Sequence, residues 1–106
     1  MAKKIPKKIN NAVREYVKIL KKDVPINEVI IFGSWAKGSA NKKSDIDVAI
    51  ISPAFLDLHE AGKYLCRKLW KVKWPIEPIP YSPNSFNGKN VSPLLSEIRK
   101  TGIRVV

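Results

Sequence analysis

Two aspartates one residue apart, Asp45 and Asp47, head an apolar run, "DIDVAIIS". Side chains alternate along an extended strand, so both carboxylates face one side while Ile46, Val48 and Ile50 face the other. Two carboxylates held that close repel each other and resist desolvation unless a cation sits between them. Hard oxygen ligands with no His or Cys nearby favour Mg²⁺ or Mn²⁺ over zinc. Alone, an Asp-x-Asp pair is better read as an exposed strand end with two solvated acids. The stretch upstream, "IIFGSWAKG", changes that balance. Gly33 ends a strand and lets the backbone approach a ligand with no Cβ in the way. Ser34 opens one or two helical turns that break at Gly38; a helix start offers N–H groups to an anion, and the serine hydroxyl adds a donor. Phosphates gripped at Gly33 and Ser34, with metal on Asp45 and Asp47, make a nucleoside triphosphate site.

The surrounding elements must hold these groups in place. Ile9, Val13, Tyr16, Val17 and Leu20 recur at helical spacing behind Pro6, and Pro25 stops that helix. "EVIIFG" (28–33) reads as a strand, and "DIDVAIIS" (45–52) as the next, ended by Pro53. Residues 57 to about 73 are predicted as a second long helix with Leu58, Ala61, Leu65 and Leu69 inside. "WPIEPIPYS" (74–82) reads as extended, and Pro75, Pro78 and Pro80 confine it to an edge. Ser92, Pro93, Arg99, Lys100 and Gly102 are the start and stop signals of a last helix, and "IRVV" closes as a short strand. The order predicts an α/β (α+β) fold: a small mixed sheet flanked by helices, in a single domain over 1–106.

The chain has 106 residues, 44% hydrophobic and 27% charged, as ordinary globular proteins do. No apolar run approaches the roughly 20 residues of a membrane span, and the start lacks a signal-peptide core, so a cytoplasmic protein is expected. The lone Cys66 excludes an internal disulfide and reads as a small buried hydrophobe. The net charge of +11 favours polyanionic partners, and eight of the twenty cations fall in residues 1 to 22. A lysine-rich surface with no partner accounts for the same charge equally well.

Gly33-Ser34, ten intervening residues, then Asp45-Ile46-Asp47 resembles the signature of the DNA polymerase beta-like nucleotidyltransferase superfamily. The short chain is similar to its minimal nucleotidyltransferase (MNT) branch. The resemblance implies a third carboxylate on a later strand, matching Glu77, with Asp57, Glu60 and Glu97 as competitors more simply read as helix-end or solvent acids. It implies two Mg²⁺ ions on Asp45, Asp47 and Glu77, and ATP as nucleotide donor. AMP would pass to an acceptor hydroxyl while Gly33 and Ser34 hold the β and γ phosphates. Lys37, Lys42 and Lys43 lie in the right loop to add positive charge. Similar small MNT proteins act as antitoxins that transfer AMP to a tyrosine of a HEPN-domain toxin, which implies a HEPN partner; a homodimer is left open.

Trp35 either packs under the turn or stacks on a base, with packing the better fit. Trp70 and Trp74 read as core caps or a contact surface. His59 reads as structural or exposed. Two rival functions fit the same residues. One is a catalytically silent docking partner that neutralises a toxin by binding. The other is a basic nucleic-acid-binding protein, against which stand the lack of a recognised motif and of aromatic–basic interleaving on a strand.

Overall fold

The chain's first helix sets the scale of the core. Ile9, Val13, Tyr16, Val17 and Leu20 share one face of α1 (Lys7–Lys21), and all five are buried. The computed structural model describes residues 5–106, so Lys3 and Lys4 of the basic N-terminal cluster lie outside the described residues. Pro6 caps α1, and its fixed φ suits that position. The elements that follow are β1 (Glu28–Phe32), α2 (Ser34–Lys37), β2 (Ile46–Ile51), α3 (Leu58–Arg67) and a 3-10 turn at Leu69–Lys71. Then come β3 (Ile76–Tyr81), α4 (Pro83–Asn87), α5 (Pro93–Thr101) and β4 (Ile103–Arg104).

The four strands form one mixed sheet in the order β3-β2-β1-β4. β1 runs antiparallel to β2 and to β4, while β2 and β3 run parallel. The proline-rich β3 is an edge strand, as its missing N–H donors require. The sheet's two faces have separate cores. Val29, Ile31, Ile46, Val48 and Ile50 face α1 and α3, where the buried Tyr16 hydroxyl donates to the Leu65 carbonyl at 2.7 Å. Ile30, Phe32, Ala49 and Ile51 face Phe86 of α4 and Leu95 and Ile98 of α5.

Three expectations need correction. α3 ends at Arg67 rather than near 73, because the chain tightens into the 3-10 turn that brings Leu69 and Val72 against the core. Leu58 is 39% exposed, so the inner stripe begins at Ala61. Cys66 is exposed, since it follows Leu65 around α3 and leaves the Ala61–Leu65 stripe. α4 carried no periodic signal; Ser82 and Ser85 close it with a reciprocal capping box. Among the described residues no helix is long and apolar enough to cross a membrane.

Candidate active site

Gly33 joins β1 to α2 with φ +74° and ψ −149°, a backbone conformation that only glycine adopts without strain. A Cβ there would run into the Asp47 carboxylate, so glycine is required both by the backbone and by the acid beside it. Gly38, with φ +81°, ends α2 after four residues. The turn therefore sets the first N–H groups of α2, which have no carbonyl one turn back to bond, next to Asp47.

The register explains how the acids meet. Phe32 pairs with Asp47 across β1 and β2, and Asp47 pairs with Glu77 across β2 and β3. Directly opposite residues on neighbouring strands point the same way. Both carboxyls lie on the face that holds Phe32 and Ala49, at the open end of the sheet beyond α5's apolar contacts. Partial burial raises the Asp47 carboxyl first, and the hydrogen-bonded, like-charged Glu77 adds to it, followed by Asp45 and Glu97; together they push it up to about 6. Burial and the neighbouring acids thus both favour the protonated form of Asp47.

Asp45 lies one residue before β2 and is exposed, close enough for its charge to act on Asp47. Among the described residues no three His, Cys, Asp or Glu side chains converge tightly enough to hold one metal ion. The Asp47–Glu77 pair nevertheless fits a hard divalent cation, since two carboxyls side by side supply the oxygen donors such an ion takes. The structure thus brings together Gly33, Asp47 and Glu77, with Ser34 at the same turn, and leaves Asp45 at the rim.

The loop cations are placed differently from one another. Lys37 forms an ion pair with Glu97 of α5. Lys43 and Lys42 are exposed in the turn before β2, whose shape comes from the Asn41 side chain accepting from the Lys43 N–H at 2.8 Å. Trp35 packs against the α1 side of the core and donates its indole N–H to the Ser44 carbonyl at 3.3 Å. It thereby ties α2 to the segment that delivers Asp45. Of the competing acids, Asp57 caps α3 by accepting from His59 and Glu60 N–H groups, and Glu60 pairs with Lys63 at 3.7 Å. Glu97 is the acid whose proximity sequence reasoning undervalued. Its approach depends on α5 packing across the sheet, which leaves no local signal.

The nucleotidyltransferase-domain family matches residues 13–100, which include every acid at the site and the Gly33-Ser34 turn. A provisionally named protein adenylyltransferase of Methanocaldococcus jannaschii is 26% identical over 94% of this chain and 72% of its own length. A second so named in the same organism is 35% identical over 54% of this chain and 61% of its own. A crystal structure of a toxin–antitoxin with AMP-PNP aligns over 92% of this chain and 72% of the other, with a TM-score of 0.64 and 21% identity. A provisionally named nucleotidyltransferase of Sulfolobus solfataricus aligns over 92% of this chain and 78% of the other, with a TM-score of 0.66 and 19% identity. These two structures share the fold. By its sequence match, the chain belongs to the nucleotidyltransferase-domain family.

Proposed function

We propose that the protein is an Mg²⁺-dependent adenylyltransferase that moves AMP from ATP to a tyrosine hydroxyl of a HEPN-domain toxin, and so acts as an antitoxin. The observation that carries the reading is the Asp47–Glu77 pair set in register against the Gly33 turn. The relatives named protein adenylyltransferase support AMP as the group transferred. The toxin–antitoxin structure holding AMP-PNP supports a nucleotide and a toxin partner.

Gly33 and Ser34 receive the β and γ phosphates, because glycine leaves the backbone there bare and a helix start offers N–H groups to an anion. Asp45, Asp47 and Glu77 would hold Mg²⁺, which when bound supplies positive charge to the triphosphate and acidifies the acceptor hydroxyl. Lys37 and Lys43 add positive charge around the phosphates. The acceptor oxygen attacks the α-phosphorus, the bond from that phosphorus to the α–β bridging oxygen breaks, and pyrophosphate leaves with the bonding pair. Glu77, exposed beside Asp47, accepts the hydroxyl proton.

Transfer of label from α-labelled ATP in lysate of the source organism tests this, with wild type beside Asp45→Asn/Asp47→Asn. Label on a discrete protein band with wild type alone is the expected result. Equal labelling by both proteins, with the same partner still captured by each, overturns transfer and leaves docking as the function.

A further inference from the structure

The second half of α3 and the segment after it have a composition that the transferase site does not use. Between Ala61 and Ile76 the sequence holds Lys63, Arg67, Lys68, Lys71 and Lys73, with no Asp or Glu. The 3-10 turn sorts this segment in space: Leu69 and Val72 pack against the core, while Trp70, Lys71 and Lys73 turn outward. Trp70 is 78% exposed, so the fold gains little from its large apolar ring. The Lys71 ammonium sits 5.2 Å from that ring's centroid. Trp74, 38% exposed, walls an apolar cavity of about 370 Å³ with Trp35, Pro6 and Ile9, and Lys8 and Lys42 line it as well. Aromatic–basic interleaving, absent from the strands, is therefore present on this turn.

We infer that this surface binds a single-stranded polynucleotide, with bases stacking on Trp70 and entering the Trp35–Trp74 cavity, and phosphates meeting Lys71, Lys73, Lys8 and Lys42. Three features select that occupant. The cations draw a polyanion to a chain of net charge +11. Exposed indoles accept any base by stacking and so suit a strand whose bases are unpaired. A duplex keeps its base faces covered and could use only the lysines, and an acidic protein segment lacks the planar base that a polynucleotide carries on every charged unit. The inference goes beyond AMP transfer and stands whether or not transfer occurs.

Fluorescence anisotropy with a short fluorescein-labelled oligouridylate tests it on the full chain. Single-strand binding should weaken with salt at a log–log slope of about −3, the value for four lysine–phosphate contacts. Lys71→Gln/Lys73→Gln should roughly halve that slope. Trp70→Ala should weaken binding at least about fivefold, the loss expected for one stacked base, with an unchanged thermal melt because the ring is solvent-facing. The matching duplex should bind more weakly than the single strand. Equal affinity for duplex and single strand, together with an unaffected Trp70→Ala, would reduce the surface to nonspecific charge and overturn the proposal. Displacement of the oligonucleotide by polyglutamate at equal charge would assign the surface to an acidic protein and overturn it as well. So would an absence of binding at low salt.

Discussion

The two faces of the sheet solve different problems. On the α1–α3 face, hydrocarbon runs from Val29 to Ile50, and the deep polar atoms there, the Tyr16 and Ser52 hydroxyls, each donate to a main-chain carbonyl. On the α4–α5 face the apolar patch stops at Phe32 and Ala49, and the next positions along β2 and β3 are Asp47 and Glu77. The first face is built for burial. The second gives up burial at one end to hold two acids side by side. Stability should therefore be most sensitive on the first face and activity on the second.

Ile31→Ala gives the largest stability loss. Ile31 is fully buried between β1's neighbours and α1, and such truncations cost about 2–5 kcal/mol from lost transfer energy plus the cavity left behind. The urea unfolding midpoint should fall accordingly, with AMP transfer retained wherever the protein remains folded. Gly33→Ala reverses that profile. Forcing a side chain into its backbone conformation costs about 1–3 kcal/mol, and the Cβ must displace the Asp47 carboxylate. Transfer should drop by at least about tenfold while the midpoint moves less than for Ile31→Ala. A Gly33→Ala protein with full activity would separate the glycine from the site.

How much of this contrast was readable in advance depends on the range of the interaction involved. The α1 stripe, the Gly33 break, the edge position of β3 and the Ser92–Gly102 helix rest on neighbours a few residues apart, and the structure has each of them. The sequence overextends α3 because nothing in "LCRKLWKVK" punctuates the helix; the need to turn Leu69 and Val72 inward is a tertiary demand. α4 is too short for a period, although Ser82 and Ser85 carried its caps. The Asp47–Glu77 register joins residues thirty positions apart, and no local rule sets it. Glu97's approach is equally nonlocal.

Asp47→Asn should stabilise the protein in chelator-containing buffer at neutral pH. The Asp47 carboxyl is raised from 3.8 to about 6 in the fold, so its protonated form is the one the native state favours. Its contribution is fully present below pH 3.8 and is lost as pH rises through 6. Wild type and variant should then melt alike near pH 3.8, and the variant should melt higher at pH 8, by about 1 kcal/mol once solvent screening of this half-exposed group is allowed for. Added Mg²⁺ should reverse the order by stabilising wild type alone. A variant less stable than wild type at every pH would mean that the carboxylate is held by partners rather than strained by them.

The smallest effects rank the charges around Asp47 and so resolve how the acidic end is built. Glu77 both hydrogen-bonds and repels Asp47, Asp45 repels it next, and Glu97 least. Removing them singly should lower the Asp47 midpoint in that order: Glu77→Gln most, then Asp45→Asn, then Glu97→Gln, read by carboxyl-carbon NMR titration without metal. Glu97→Gln also breaks the exposed ion pair to Lys37, which at the surface is worth at most about 1 kcal/mol, so stability barely changes while the titration still moves. If Glu97→Gln moved Asp47 more than Glu77→Gln did, α5 rather than the β2–β3 register would set the charge of the site. The difference between the two faces would then lie in how a helix leans across the sheet, not in which strands stand side by side.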